Sequence, residues 1–265
     1  MKKNIYANPS FLTWMVQKFK NFFEPNSLVR ISNNNKLHDY RELIKRNDSE
    51  LWQLHRDITN VIDRMQKEYD SYDYGSGYFY QSLDKIAVTG YRNTSKRVDK
   101  LNLKQIVTGK KVLDIGTNSG FILFAMDNTF ESATGVEYNP FLIEIGNLVQ
   151  KYTGQRNVEL VNAKFENFTV DANKTFDVVL SLANHSTYDG NTSQGVNEYF
   201  SNISRLLNPD GILIFESHPP EIEPDDKLNM TLQIINQIFD VTETKKLAMT
   251  NFLDKNRTYV IAKKK

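Results

Sequence analysis

One stretch, residues 112–139, constrains the fold of this chain more than any other. Its apolar run at 112–115 predicts a buried strand, which a Gly-bearing turn and an apolar segment of helical character follow. The next apolar segment ends at Glu137, about 20 residues on, the spacing that places an acid on a ribose in nucleotide-binding βαβ units. The stretch therefore predicts a βαβ unit with a nucleotide at its turn.

The residue types in this stretch fit that prediction. Gly116 and Gly120 let the backbone approach a ligand where a Cβ atom would clash. Glu137 can accept hydrogen bonds from both ribose hydroxyls, because an ionised carboxylate is only an acceptor. These three residues are the first candidates for a cofactor site.

The turn departs from the G-x-G-x-x-G pattern of dinucleotide sites and has the form D-x-G-x-N-x-G. Asp114, at the end of the strand, would repel a pyrophosphate but suits an ammonium group or an ordered water. Asn118 stands where a middle glycine is usual, and Asn enters the left-handed region more readily than most residues. The pattern resembles the first motif of the class I S-adenosylmethionine (SAM) methyltransferases.

The resemblance covers roughly residues 100–265 and implies an α/β fold, in which a seven-stranded doubly wound sheet ends in an antiparallel β-hairpin. Alternating strand and helix signals from about residue 96 agree with it. Strands are expected at 111–115, 132–137, 157–162, 176–181, 211–216, 239–247 and 257–263, with helices at 120–129, 140–152, 193–207 and 225–238. A turn is expected at 209–211. We divide the chain into a helical segment at 1–95, which includes a pocket-covering loop, and a SAM-binding core at 96–265.

The N-terminal segment shows helical periodicity at 11–23 and again at about 49–69. The apolar face of the first helix fits packing on its own domain, a homodimer contact or a membrane surface, since Lys18 and Lys20 flank its aromatic residues. A Tyr/Gly-rich stretch at 69–81 is typical of a loop that lines a pocket.

Further cofactor contacts follow from the resemblance. Tyr138 could stack on adenine, and Lys164 and Phe165 occupy the place where the family usually has an acid for the adenine amino group. Arg92, in G-x-R-x-T-x-x-R, is the candidate for the methionine carboxylate, which an arginine can hold with two hydrogen bonds. Further expected contacts of the cofactor are Tyr80, Gln81 and Asn184.

Catalysis is expected at the end of the fourth strand. His185 lies there and can accept a proton from a hydroxyl, from the rim of the pocket. His218, Glu216 and Tyr188 are candidates for substrate binding. A divalent metal held by the two histidines and Glu216 is disfavoured, because the Asp pairs typical of an oxygen-ligated cation are missing.

Composition and charge limit the classes of function that fit this chain. Lys plus Arg is 33 and Asp plus Glu is 32, a net charge of +1 that does not indicate a nucleic-acid binder. No Cys is present, and neither a secretory signal nor a transmembrane run is evident, so we expect a cytoplasmic protein. The resemblance favours methyl transfer to a hydroxyl of a small molecule, such as a sugar, a sugar nucleotide or a phosphorylated precursor of a bacterial surface polysaccharide. The alternatives are an RNA- or tRNA-modifying methyltransferase and a non-catalytic SAM-binding protein.

Overall fold

The structure is a computed structural model that describes residues 10–68, 79–169, 174–185, 193–247 and 256–265. Tyr188 and most of the Tyr/Gly-rich stretch lie outside the described residues. The helices are α1 Phe11–Phe22, α2 Ser27–Arg46, α3 Ser49–Glu68, α4 Thr94–Lys100, α5 Leu103–Val107, α6 Phe121–Ala125, α7 Pro140–Thr153, α8 Val196–Leu206 and α9 Asp225–Ile238. The strands are β1 Lys111–Ile115, β2 Ser132–Glu137, β3 Val158–Asn162, β4 Phe176–Leu182, β5 Leu207–Glu216, β6 Phe239–Leu247 and β7 Arg257–Lys264.

The seven strands form one sheet in the order β3-β2-β1-β4-β5-β7-β6. β1 to β5 pair in parallel, whereas β7 is antiparallel to both β5 and β6. This arrangement confirms the predicted doubly wound sheet with its antiparallel ending. It also places the order reversal at β1 and β4, the point of an open α/β sheet where ligands bind.

Two features of the structure differ from the sequence prediction or are absent from it. The turn expected at 209–211 lies inside β5, which begins at Leu207 and changes register against β4 there, with Asp210 at φ 61°. The long helix α2 was not predicted, because its stretch of Ser and Asn at 32–35 has low helix propensity and interrupts the helical spacing of apolar residues. That face nevertheless buries Leu37, Tyr40 and Leu43.

The N-terminal helices share a core with the sheet domain. α3 packs on α7, and its buried residues belong to the same apolar cluster as those of α7. Polar contacts at both ends fix this packing: Tyr152 donates to Asp48 at 2.8 Å, and the Asn139 side chain contacts Met65 Sδ at 3.6 Å. The helical segment thus supports α7, one of the helices that cover the sheet.

Helix α1 presents its apolar face to the surroundings. It contacts α2 through Trp14, which donates to the Leu37 carbonyl at 3.0 Å, and through Asn21, which donates to Asn34 at 2.8 Å. Its other large side chains are exposed, namely Phe11, Leu12, Met15, Val16, Phe19 and Phe22, together with the adjoining Phe23. Among the described residues, this apolar face therefore does not pack on the rest of the domain. Within those residues, no helix has the length and apolar character needed to cross a membrane.

Candidate functional site

A recess opens at the carboxyl ends of the central strands. Its walls come from the turns after β1, β2, β3 and β4. The lining residues are Ile115, Gly116, Val136, Glu137, Tyr138, Ala163, Phe165, Asn184 and Tyr199. The recess lies where β1 and β4 adjoin, at the order reversal of the sheet.

The floor of the recess depends on a glycine. Gly116 has φ +64°, and a Cβ atom there would lie 2.9 Å from Asn184 Nδ2. Asn184 is fixed, since its Oδ1 accepts from Ser181 Oγ at 2.8 Å and from the Tyr199 hydroxyl at 2.9 Å. Its Nδ2 donates to the Ile115 carbonyl. A side chain at position 116 would therefore displace a buried network.

The turn after β1 is tied to the end of β2. Asn118 has φ 58°, the left-handed conformation expected of it, and Gly120 at φ +73° precedes α6. The backbone N–H of Asn118 donates to Glu137 Oε2 at 3.1 Å, and that of Asn139 donates to Oε1 at 3.0 Å. These bonds hold the Glu137 carboxylate in the wall of the recess.

Asp114 lies beneath this turn and is buried. The Thr117 hydroxyl donates to its Oδ2 at 2.7 Å. Burial raises the pKa of Asp114 to about 6, against the opposing effects of the Thr117 hydrogen bond and the Arg97 charge. At neutral pH the side chain is an anion with a strong tendency to pair with a cation.

Tyr138 and Phe165 line the recess from the segments that follow β2 and β3. Phe165 is buried edge-on against Tyr199, with ring centroids 5.2 Å apart and planes at 63°. Lys164 is partly exposed and does not line the recess; its backbone precedes a short 3-10 turn at Phe165–Asn167. The aromatic members of the predicted adenine site are thus together, and Lys164 lies beside them.

These observations fit an adenosine group. Two aromatic side chains, a glycine and an anchored carboxylate line one recess, and an adenosine group needs contacts of these kinds. The carboxylate can accept hydrogen bonds from hydroxyl groups in addition to those from two backbone N–H groups.

A buried ionic cluster occupies the neighbouring end of β5. Glu216 is fully buried and contacts three arginines. Arg97 donates to Oε2 at 2.6 and 3.0 Å, Arg92 donates to Oε1 at 3.2 Å, and Arg257 Nη1 lies 3.4 Å from Oε1. Although burial alone would raise the pKa of Glu216, the three guanidinium groups lower it to about 2. Glu216 is thus held by protein cations, and the substrate contact predicted for it is not available in this arrangement.

Two predicted cofactor residues adjoin this cluster. The Tyr80 hydroxyl accepts from Arg92 Nη1 at 2.9 Å, and the Arg92 guanidinium lies 5.5 Å from the Tyr80 ring centroid. Gln81 is buried and forms a backbone bridge with Arg92. The structure brings Arg92, Tyr80 and Gln81 together, but none of them lines the recess around Glu137.

His185 follows β4 and is fully buried, so its expected rim position is wrong. Its Nε2 lies 2.7 Å from Glu223 Oε1, and its ring packs on Phe215 with centroids 4.9 Å apart. Phe200 lies on another side. Nδ1 has no hydrogen-bond partner among the described residues. The rings of Phe215 from β5 and Phe200 from α8 enclose His185.

Glu223 joins the two histidines. Its Oε2 accepts from the backbone N–H of His218 at 3.0 Å, and its Oε1 also accepts from Thr231 at 3.0 Å. Burial would raise the pKa of Glu223, but these contacts and the one with His185 lower it. The rings of His185 and His218 have centroids 5.3 Å apart. Among the described residues, no group of three or more His, Asp or Glu side chains could hold a metal.

The sheet order, the glycine turn and the anchored acid define a Rossmann-like methyltransferase architecture. A methyltransferase-domain family model matches residues 106–264, more than half of the chain. The chain belongs to this family, and its cofactor is S-adenosylmethionine. No curated protein sequence matches the chain.

Solved structures with the same fold are distant in sequence. The PH0226 protein from Pyrococcus horikoshii OT3 has a TM-score of 0.57 at 18% identity, with 74% of this chain and 100% of that chain covered. N-methyltransferase NodS from Bradyrhizobium japonicum WM9, in complex with S-adenosyl-L-homocysteine (SAH), has a TM-score of 0.53 at 12% identity, covering 66% and 89%. The [4+2]-cyclase SpnF has a TM-score of 0.52 at 12% identity, with 69% of this chain and 82% of that chain covered. At these identities the likeness concerns the fold alone.

Sequence reasoning missed four residues of this region. Glu223 and Tyr199 sit outside any motif, and only the fold brings them to the strand ends. Arg97 was visible as the last residue of G-x-R-x-T-x-x-R, but its partner Glu216 is far away in sequence. Arg257 begins the last strand, where no local pattern marked it.

Proposed function

We propose that the protein transfers the methyl group of SAM to a hydroxyl of a small molecule. Sugars, sugar nucleotides and phosphorylated precursors of a bacterial surface polysaccharide are the substrate classes that we favour. The observation that carries the hydroxyl assignment is the buried His185–Glu223 pair, in which His185 directly follows Asn184 of the recess in sequence. A base held by a carboxylate is the arrangement that accepts a proton from a weakly acidic nucleophile.

The residues of the recess would hold the adenosine part of the cofactor. Glu137 would accept the ribose hydroxyls, and Tyr138 and Phe165 would flank the adenine ring. Asn118, Gly116 and Gly120 shape the turn, and Lys164 contributes its backbone. When bound, SAM supplies a methyl carbon that is already electrophilic, so that the protein has to provide orientation and charge.

The polar groups near Asp114 suit the methionine end. Asp114 would pair with the ammonium group, since the carboxylate is buried and anionic at neutral pH. Arg92 would hold the methionine carboxylate, with Tyr80, Gln81 and Asn184 around it. The electrostatic influence of Arg97 on Asp114 supports this assignment, because it brings the arginine cluster close to the Gly-bearing turn.

His185 would act as the base. With its hydrogen on Nε2 it donates to Glu223, which leaves Nδ1 to accept the hydroxyl proton. The hydroxyl oxygen would form a bond to the methyl carbon of SAM as the bond between that carbon and sulfur breaks, and SAH would be the leaving group. His218 and Tyr188 would contact the acceptor. Glu223 is a positioning residue, because it fixes the tautomer and the orientation of His185 and binds the backbone of His218.

A screen with isotope-labelled SAM tests this function. The purified protein is incubated with bacterial sugar nucleotides, sugar phosphates and bulk RNA, and products are scored by mass. We expect one labelled methyl group on a hydroxyl of a small molecule. Methylation of RNA alone, or of a nitrogen alone, would contradict the hydroxyl assignment.

The homodimer through α1 is a separate proposal, supported by the exposed apolar face of that helix. Light scattering behind size exclusion tests it with wild-type protein and a Phe19→Ser, Phe22→Ser double variant. A wild-type dimer that becomes a monomer in the variant is expected. Equal masses for both proteins would contradict it.

A further inference from the structure

The loop at residues 79–92 folds back on itself and carries Tyr80, Gln81 and Arg92. The backbone N–H of Arg92 donates to the Tyr80 carbonyl at 2.8 Å, and that of Ser82 donates to the Arg92 carbonyl at 2.8 Å. These bonds join the two arms of the loop, which we call the 79–92 loop. The position of the Arg92 backbone therefore depends on the position of the whole loop.

Side chains from the N-terminal helices hold the tip of the 79–92 loop. Arg46, at the end of α2, donates to the carbonyls of Asp84 at 2.7 Å and Lys85 at 2.9 Å. The buried ring of His55, from α3, donates to the next carbonyl, that of Ile86, from Nε2 at 2.6 Å. Three successive carbonyls of the loop thus accept hydrogen bonds from two helices that lie outside the sheet.

Helix α2 also holds the arm of the loop that leads to Arg92. Asp39 Oδ1 accepts from the Thr89 backbone N–H at 3.0 Å and from the Thr89 hydroxyl, and Asn35 Nδ2 donates to the Gly90 carbonyl at 3.2 Å. Burial raises the pKa of Asp39 to about 8, although the hydrogen bonds from Thr89 oppose this change. At pH 7 the Asp39 side chain is therefore mostly a neutral acid that acts on Thr89 as a hydrogen-bond acceptor.

Gly90 links the held arm to the other arm of the loop. Its φ is +60°, and a Cβ atom there would lie 2.3 Å from the carbonyl carbon of Gln81. The two arms are thus in direct backbone contact at this point. A shift of Thr89 and Gly90 would therefore move Gln81 and Arg92 as well.

The Arg92 guanidinium needs an accurate position for the role proposed above. It is buried, and it already donates to the Tyr80 hydroxyl at 2.9 Å and to Glu216 at 3.2 Å. An arginine holds a carboxylate with two parallel hydrogen bonds only when the planar groups face each other. A small displacement of the Arg92 backbone would therefore weaken the contact with the methionine carboxylate.

We propose that Asp39, together with Asn35, is a positioning residue for Arg92 and acts through Thr89 and Gly90. This inference rests on the proposed function of Arg92. It gives helix α2 a part in cofactor binding, although no residue of α2 lines the recess.

Calorimetric titrations of SAH and adenosine at pH 7 test the proposal. Asp39→Ala should bind SAH at least about tenfold more weakly and adenosine less than about twofold more weakly, because only SAH has the methionine part. Asp39→Asn is uncharged and keeps an acceptor for Thr89, so that it should bind SAH as wild type does. Tyr152→Phe is the matched control: it removes a hydroxyl bond to Asp48 outside the 79–92 loop and should leave both affinities unchanged.

A second set of variants keeps the proposal open to refutation if Asp39→Ala does not fold. The milder Asn35→Ala change, at a half-buried residue, should also weaken SAH more than adenosine. In an Arg92→Ala background, neither Asp39→Ala nor Asn35→Ala should weaken SAH further, since the group that they position is gone.

The Arg92→Ala variant separates the two claims. Selective loss of SAH in Arg92→Ala, with wild-type SAH affinity in folded Asp39→Ala and Asn35→Ala, would overturn the inference alone. Equal losses of SAH and adenosine in Asp39→Ala, or an undiminished effect in the Arg92→Ala background, would also overturn it. Absence of SAH binding in wild-type protein would refute the proposed function and the inference with it.

Discussion

Replacing Glu216 with Gln tests the energetics of the arginine cluster. The substitution keeps the size of the side chain but removes the carboxylate that three buried guanidinium groups contact. A folded-state pKa of about 2, against an ordinary value of 4.5, corresponds to about 3 kcal/mol of stability at neutral pH. Loss of one partner from a buried ion pair typically costs about 3–5 kcal/mol, which agrees.

Urea unfolding followed by circular dichroism measures this loss at pH 7. Glu159→Gln serves as the control, because Glu159 forms an exposed pair with Lys174 and should change stability by less than about 1 kcal/mol. Since the pKa of Glu216 is lowered on folding, its contribution is complete above about pH 4.5 and is lost as the pH falls towards 2. The difference in unfolding free energy between wild type and Glu216→Gln should therefore decrease as the pH falls over that range. A Glu216→Gln protein as stable as wild type at pH 7 would refute the reasoning.

Three further predictions concern the site. SAM affinity should fall by up to about tenfold per pH unit below pH 6, because protonated Asp114 no longer pairs with the ammonium group. Calorimetry on Asp114→Asn should show that affinity depends less steeply on pH. An unchanged dependence of affinity on pH would contradict the assignment. His185→Ala should lower kcat by at least about 100-fold with SAH affinity little changed. It should also lower Tm, because it leaves a cavity and removes the His185 hydrogen bond to buried Glu223. Glu223→Gln should lower kcat with a smaller change in Tm, and full activity in both variants would exclude a base at this position. Arg92→Ala should weaken SAM and leave adenosine binding nearly intact in titrations, whereas equal losses for both ligands would indicate a folding role.

Much of the sheet domain was predictable from local patterns. The strands around Asp114 and Glu137 are apolar runs bounded by turn residues, and their spacing carries the nucleotide signal in one contiguous stretch. The left-handed conformation of Asn118 likewise follows from residue type. These features are local, so that the sequence alone could specify them.

The arginine cluster around Glu216 and the surroundings of His185 were not predictable in the same way. The sequence predicted that Glu216 contacts the substrate. In the structure, its carboxylate instead contacts three arginines from distant positions in the sequence, namely Arg92, Arg97 and Arg257. His185 was expected at a rim, but Phe200 and Phe215 enclose it, and Glu223 reaches it from the segment before α9. Such contacts depend on tertiary packing between segments far apart in sequence, which leaves no periodicity or motif to detect.

The most direct test of the account is calorimetric titration of SAH into wild-type protein, Glu137→Ala and the control Glu144→Ala. The half-exposed carboxylate of Glu144 forms a surface ion pair with Arg64. Glu137 is the predicted ribose ligand and is anchored in the recess by two backbone N–H groups. We predict that wild type and the control bind SAH alike, and that Glu137→Ala loses about 2–4 kcal/mol, or about 30- to 1,000-fold in affinity, while remaining folded. Unchanged affinity in a folded Glu137→Ala protein would contradict the account of the cofactor site.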